Sequence, residues 1–145
     1  MVGDSTIINF MVPKLPYLSS LCYNFACMGI TNVSVSVTNL DQTKKVNGRF
    51  LVDTGAAYTV LPKKMADKLK LKAIRTQSFS LADGTTIKRK LSSAVVKLDD
   101  HEAATTVVIG QKDDSALLGV ITLEGMGLMV DPFKRKLRPM KLMLG

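Results

Sequence analysis

FLVDTGAAYTVLP, the stretch from Phe50 to Pro62, places an acidic residue inside an apolar run. Three apolar residues precede Asp53, and small residues after it lead into a second apolar run that starts at Tyr58. A buried carboxylate costs free energy unless it is paired, hydrogen-bonded or neutralised. Asp-Thr-Gly alone indicates only a turn, because Asp and Gly both favour turns. A solvent-facing turn does not need apolar strands on both sides, so the context indicates a specific role for Asp53.

Length and composition indicate one globular domain. The chain has 145 residues, of which 46% are hydrophobic and 22% charged, and a core of this size needs no metal or disulfide to support it. No apolar run approaches 18 residues, so no transmembrane helix and no membrane partner are expected. Cys22 and Cys27 are predicted to be reduced, in a cytoplasmic protein.

The supply of metal ligands is too small for a typical zinc site, which takes about four Cys or His ligands at motif spacing. The chain has two cysteines, and His101 is its single histidine. His101 lies in Asp99-Asp100-His101-Glu102, which is typical of an exposed turn. The sequence therefore predicts neither a metal nor another cofactor.

The net charge of +8 comes with two dense basic runs, Ile87-Lys88-Arg89-Lys90 and Lys134-Arg135-Lys136-Leu137-Arg138. Either run could contact nucleic acid or an acidic partner. A solvated surface is the more common explanation of such a run. No aromatic residues alternate with the basic ones, which argues against a nucleic-acid partner.

The chain divides at residue 29 by pattern. Residues 1–29 are interpreted as an N-terminal extension of unknown role, and residues 30–145 as the folded domain. Met28 could be an alternative start, or the extension could pack on the domain or pair with another subunit. The extension has no basic residues ahead of its first apolar stretch, so it makes a poor signal peptide.

From residue 30 onward the pattern is that of β-structure. Val33, Val35 and Val37 alternate with polar residues, as in a half-buried strand. Asp83-Gly84 between two apolar-polar stretches is a strong hairpin signal. Further strands are predicted over residues 46–53, 58–61, 77–82, 85–90, 94–98, 105–109, 116–119 and 128–130.

One or two short helices complete the prediction. Pro62 suits the first turn of a helix over Lys63–Leu69, and a second short helix can begin at Val120. The tail Leu137–Leu144 can form a strand, which Pro139 confines to an edge or a terminus. Many short strands with so little helix predict an all-β fold, in the form of a small closed β-barrel.

Three segments in order resemble the retropepsin-like aspartic proteases, and in particular their cellular and prokaryotic branch. Phe50–Ala56 is similar to the active-site strand and loop of that family. Leu81-Ala82-Asp83-Gly84 resembles its flap hairpin, and Ala116–Gly119, with Leu123 after it, resembles the segment behind the active-site loop. The resemblance extends over Val33–Val130, and its order and spacing make it specific.

The resemblance implies an aspartic endopeptidase that acts on extended polypeptides. It makes Asp53 the catalytic residue, with Thr54, Gly55 and Ala56 shaping the loop. Leu81, Ala82, Asp83 and Gly84 would form the flap over the substrate, and Leu118 and Gly119 would lie behind the active site. Apolar walls are expected from Val60, Leu81, Ile87 and Leu118.

The resemblance also implies a homodimer. Two carboxylates that share one proton can activate water for peptide hydrolysis, one as general base and the other as general acid. The chain has a single Asp-Thr-Gly, since neither Asp113-Asp114 nor Asp131 is followed by Thr-Gly. The second carboxylate would therefore come from a second copy of Asp53, across a two-fold axis. Thr54 would hydrogen-bond to the partner loop across that axis.

Two features depart from the viral members of the family. Ala57 and Tyr58 stand where the viral enzymes usually carry a polar or acidic residue, so a charged contact near the dimer interface is missing. The glycine-rich flap tip of the viral enzymes is also absent. Leu137–Leu144 is the candidate for the interface sheet.

Two other functions remain open at this point. The chain could be a catalytically weak or inactive module of the same fold that binds peptides or serves as a scaffold. It could also be a basic β-barrel that binds nucleic acid, which the sequence favours least.

Overall fold

The computed structural model describes residues 31–145. The predictions for the N-terminal extension, for Met28 and for the two cysteines lie outside these residues. The described part contains strands, which we number β1 to β9, and two short helices, α1 and α2. The strands are Thr31–Thr38, Lys45–Val52, Thr59–Leu61, Arg75–Ser80, Thr86–Leu98, His101–Ile109, Leu117–Leu118, Leu128–Asp131 and Lys136–Pro139. The helices are Lys63–Lys68 and Val120–Gly125.

Seven of the strands form one sheet that closes on itself. Its order is β1-β2-β7-β3-β6-β5-β4, and an additional pairing of β1 with β5 turns six of them into a ring. Strand β4 stays outside the ring and pairs only with β5. Strands β8 and β9 form a separate two-stranded sheet. The predicted all-β fold with one or two short helices is confirmed, with a ring-like closure of the sheet.

The core lies inside the ring. The alternation of β1 sends Val35 and Val37 inward, where they are 2% and 0% exposed. Phe50 of β2 and Leu123 of α2 meet the same cluster and are also fully buried. Each apolar side chain of this size contributes roughly 1.5–3 kcal/mol on burial, so the ring is a packed core.

Strand β5 differs from the prediction, which divided it into residues 85–90 and 94–98. It runs without a break from Thr86 to Leu98, because Ser92 and Ser93 keep their register with β6. Ser92 is buried and satisfies its hydroxyl by donating to the carbonyl of Lys72 at 2.7 Å. The first part of β5 pairs with β4, and the later part pairs with β6 and β1.

Two expectations about exposure were wrong. His101 begins β6 rather than lying in a turn; it is half-buried, and its Nδ1 lies 3.2 Å from the carbonyl oxygen of Met126. The turn itself is made by Asp99 and Asp100, with Asp99 at φ 52°. Arg89, expected on a solvated basic face, is 7% exposed, because the alternation of β5 points it away from solvent.

The predicted tail strand is shorter than expected. Strand β9 covers only Lys136–Pro139 and pairs with β8 of the same chain. Met140 adds one further hydrogen bond, to the carbonyl of Gly127 at 2.8 Å, and residues 141–145 form no strand. No helix in residues 31–145 is long and apolar enough to cross a membrane.

Candidate active site

Asp53 directly follows strand β2, at the point where the core ends. Its N–H donates to the carbonyl of Leu118 at 3.1 Å, which continues the parallel pairing of β2 with β7. The alternation of β2 buries Phe50 and Val52 in the ring. Asp53 is itself only 3% exposed, so its carboxyl group is held at the border of the core.

The two carboxyl oxygens of Asp53 have different surroundings. Oδ1 accepts a hydrogen bond from the N–H of Gly55 at 2.8 Å. Oδ2 is buried and has no hydrogen-bond partner among residues 31–145. Burial raises the pKa of Asp53 above 3.8, while the amide groups of Gly55 and Ala56 act in the opposite direction. The site therefore favours the protonated acid more than water does.

The loop after Asp53 is held mainly through its backbone. The carbonyls of Ala56 and Ala57 accept from the first N–H groups of helix α2, those of Val120 at 2.9 Å and Ile121 at 3.1 Å. Ala56 is 5% exposed, whereas Thr54 and Gly55 face solvent. These contacts fix the direction in which the exposed part of the loop points.

Gly119 is needed for the close approach of this loop to helix α2. A Cβ atom at Gly119 would lie 2.4 Å from the carbonyl carbon of Tyr58 and 2.7 Å from the carbonyl oxygen of Ala57. Both are backbone atoms, so neither can turn aside. Leu118 and Gly119 thus lie behind the loop that follows Asp53.

Three buried hydroxyl groups join the strands behind the loop, a feature that the sequence did not reveal. Thr59 Oγ1 accepts from the N–H of Gly119 at 3.1 Å and lies 2.7 Å from Thr122 Oγ1. Thr122 Oγ1 in turn lies 3.1 Å from Thr105 Oγ1. The network connects β3, α2 and β6, and no pattern in the sequence relates positions so far apart.

The hairpin predicted at Asp83-Gly84 is present. Its tip is closed by the bonds from Leu81 N–H to the Thr85 carbonyl at 2.8 Å and from Gly84 N–H to the Leu81 carbonyl at 3.0 Å. Gly84 has φ +86°, the left-handed conformation that glycine favours. Asp83 accepts from the hydroxyl and N–H of Thr85, and these bonds lower its pKa. Leu81 is 7% exposed, whereas Ala82, Asp83 and Gly84 are exposed.

A cavity of about 340 Å³, which we call the cleft cavity, lies between the loop and the hairpin. Tyr58 and Phe79 meet across it edge to face, with ring centroids 6.0 Å apart. Val108 also lines the cavity. The remaining lining residues are Gly55, Ala56, Ala57, Ser80, Leu81 and Ala82.

Of the four apolar walls expected from the sequence, only Leu81 lines the cleft cavity. Val60 and Leu118 belong to the core, at 1% and 0% exposure, and Ile87 is half-buried elsewhere on β5. Tyr58 and Phe79 take their place. Phe79 is the one apolar residue in the β4 sequence RTQSFS, and this is the signal that could have identified it.

Within residues 31–145, no three His, Cys, Asp or Glu side chains come together in a way that could hold a metal ion. The chemistry available near the loop is that of the Asp53 carboxyl group, backbone amides and an apolar cavity. A ring of strands with an Asp-Thr-Gly loop opposite a hairpin is the architecture of a retropepsin-type acid protease.

Sequence comparison agrees with this class. The family described as "gag-polyprotein putative aspartyl protease" matches residues 31–125. The chain belongs to this family, so the predicted relationship to retropepsin-like aspartic proteases is confirmed. Among curated proteins, none matches the chain significantly.

Among solved structures, the first of the following three shows the same fold. EIAV protease complexed with the inhibitor HBY-793 matches at a TM-score of 0.51 and 19% identity, over 79% of this chain and 93% of the other. A retropepsin-like aspartic protease from Rickettsia conorii has 27% identity and a TM-score of 0.45, over 71% of this chain and 85% of the other. Simian foamy virus (mac) protease has 14% identity and a TM-score of 0.47, over 65% and 92%.

Proposed function

We propose that the chain is an aspartic endopeptidase that acts as a homodimer, with the Asp53 residues of two copies as its catalytic pair. The carboxyl group of Asp53 carries the proposal. One of its oxygens is held by Gly55, and the other is buried without a partner among the described residues. Because the sequence has a single Asp-Thr-Gly, the second carboxyl group of a catalytic pair would come from Asp53 of a second copy.

Peptide hydrolysis by such a pair needs one proton between two carboxyl groups. The ionised Asp53 takes a proton from water as the water oxygen bonds to the carbonyl carbon of the substrate. The neutral Asp53 gives its proton to the carbonyl oxygen. The Asp53 that took the proton from water then gives it to the amide nitrogen, and the carbon–nitrogen bond breaks. One hydroxyl proton of the tetrahedral intermediate returns to the other Asp53, so an amine and a carboxylic acid leave and the pair again holds one proton. Two carboxyl groups at close range titrate as a pair, in separated steps.

The cleft cavity suits an extended polypeptide substrate. A chain lying between the Asp53 loop and the hairpin could pair with backbone groups as an added strand, and its side chains would enter alternate pockets. Tyr58, Phe79 and Leu81 give the cavity an apolar lining. We therefore expect a preference for apolar side chains near the scissile bond.

The C-terminal part of the chain offers apolar surface for the second copy. Leu142, Met143 and Leu144 are 66%, 77% and 103% exposed, and Phe133 in the β8–β9 turn is 95% exposed. Contiguous exposed apolar groups are typical of interaction sites, and residues 142–144 are consecutive in the chain. The two-stranded sheet of β8 and β9 also has open edges that another copy could extend.

The substitution Asp53→Asn tests the proposal. It keeps the size of the side chain and an oxygen that can accept from Gly55, but removes the general base. We expect cleavage of an unfolded protein at acidic pH to fall to background. Asp41→Asn is the matched control, since Asp41 lies in an exposed turn where Asn can still accept from Thr43.

The oligomeric state and the cleavage activity together distinguish a dimeric protease from a peptide-binding module. Sedimentation equilibrium should show a dimer for the native chain and for both variants. Cleavage that persists in the purified Asp53→Asn protein would refute the catalytic role. A native chain that binds peptides but stays monomeric and cuts nothing would instead be a binding module of the same fold.

A further inference from the structure

The basic run Ile87-Lys88-Arg89-Lys90 is not used by the proposed catalytic site. In strand β5 its residues alternate between two faces of the sheet. Arg89 is buried, and its Nε lies 3.6 Å from Asp114 Oδ2. Lys88 and Lys90 are exposed and project from the opposite face. The strand thus divides one sequence run into a structural ion pair and a surface pair of lysines.

A second cavity, of about 360 Å³, collects positive charge on that face, and we call it the basic cavity. Lys88 and Lys90 from β5 meet Lys63 from the start of helix α1, which is distant in sequence. Arg89 also contributes to the lining, and none of the lining residues is acidic. Ile109, Gly110 and Gln111 at the end of β6 form another side.

Most of this charge is not neutralised within the chain. In the described part of the chain, Lys88 and Lys90 take part in no salt bridge. Lys63 pairs with Asp67 at 3.5 Å, but both side chains are more than half exposed, and such pairs are weak. Only Arg89 has a buried carboxylate beside it. The basic cavity therefore attracts anionic groups, in a chain that already carries a net charge of +8.

The basic cavity and the cleft cavity lie on opposite faces of the same part of the sheet. Val108 lines the cleft cavity and its neighbour Ile109 lines the basic cavity, as expected for successive residues of β6. Strand β4 is the end of the sheet, so a peptide that leaves the cleft can pass around its edge.

We infer that the basic cavity binds an acidic segment of the polypeptide substrate, away from the residues that flank the scissile bond. This inference rests on the proposed function, because it assigns a substrate class to the same enzyme. Charge complementarity supports it, since Lys63, Lys88 and Lys90 line one cavity of about 360 Å³. A single-stranded nucleic acid fits less well, because no aromatic residue lines the cavity for bases to stack on.

Binding can be measured without cleavage in the Asp53→Asn protein. The probe is a fluorescent peptide with an apolar half and a block of glutamates, joined by a flexible linker. A second peptide carries glutamine in place of each glutamate. We expect the glutamate peptide to bind roughly tenfold more tightly at low salt, and the difference to shrink as salt is added.

Charge reversal locates the site. Lys88→Glu/Lys90→Glu should remove the preference for the glutamate peptide. Lys45→Glu/Lys97→Glu is the matched control, because it makes the same change in net charge at exposed strand positions on another surface of the ring. The control should retain the preference.

The outcomes separate this inference from the proposed function. Equal loss in both double variants would show a general charge effect and overturn the inference, as would equal binding of the two peptides. A labelled oligouridylate that binds more tightly than the glutamate peptide, and loses affinity in Lys88→Glu/Lys90→Glu, would assign the cavity to nucleic acid instead. In the native chain, cleavage with no preference for the glutamate peptide would contradict only the inference. Tighter binding of the glutamate peptide, without cleavage of any peptide by the native chain, would contradict only the proposed function.

Discussion

Replacement of Gly119 by alanine is the sharpest test of how the loop after Asp53 is held. The added Cβ would lie 2.4 Å from the carbonyl carbon of Tyr58, whereas ordinary contact begins at 3.4 Å. The loop and helix α2 must therefore separate by about 1 Å (3.4 minus 2.4). Overpacking of this kind costs about 1–3 kcal/mol in the free energy of unfolding. A misplacement of about 1 Å at a catalytic group can lower the rate by about 10²-fold.

Gly125→Ala provides the control at the other end of the same helix. A Cβ at Gly125 would meet only the side chain of Ala103, at 3.3 Å, and alanine is the better helix former by about 1 kcal/mol. Urea unfolding and peptidase assays of both variants measure the two effects separately. We expect Gly119→Ala to stay folded with about 1% of native kcat/KM, and Gly125→Ala to keep native activity. Native kcat/KM in Gly119→Ala would refute the claim that this close contact positions the loop.

Three further predictions concern buried polar groups. Burial raises the pKa of Asp53 above 3.8, so its contribution to stability is present below that value and is lost as the pH rises through the folded-state pKa. Urea unfolding at low protein concentration should therefore show the free energy of unfolding of Asp53→Asn rising relative to that of the native chain over this pH range. Parallel plots of the two free energies against pH would contradict this. Asp114→Asn should lower the free energy of unfolding in urea by about 3–5 kcal/mol, because it removes the carboxylate beside buried Arg89. The double variant Arg89→Met/Asp114→Leu should recover most of this loss. Effects of the Arg89 and Asp114 changes that simply add would show that the pair is not coupled. Thr122→Val should lower the free energy of unfolding by about 1–3 kcal/mol, because it breaks the hydroxyl network. Thr122→Ser keeps the hydroxyl group and should cost clearly less. Equal losses of stability in the two variants would assign the effect to packing.

The sequence predicts strand β2 and the tight loop after Asp53 well, for a local reason. Phe50 and Val52 alternate toward the core, and the small residues after Asp53 permit a tight loop. The hairpin at Asp83-Gly84 was also readable, because left-handed backbone at a tip selects glycine. Each of these signals lies within about ten residues of the feature that it predicts.

The parts that were missed depend on contacts between distant residues. Arg89 was expected in solvent, because nothing near it in the sequence reveals that Asp114 neutralises it. Thr59 and Thr122 lie 63 positions apart, yet their hydroxyl groups are 2.7 Å from each other. The periodicity of the sequence indicates which face of a strand a side chain occupies, but it does not indicate which distant residue that side chain contacts.

The departure at Ala57 and Tyr58 is compatible with a well-held loop, because the loop is secured by backbone groups. Ala57 acts through its carbonyl, which accepts from Ile121 at 3.1 Å, and any residue supplies that group. The side chain of Tyr58 is free to turn toward Phe79 and to line the cleft cavity. A charged side chain at this point would bring a polar group to the edge of an apolar pocket. The same two positions that weaken the likeness to the viral enzymes therefore give this chain an aromatic wall where its proposed substrate binds.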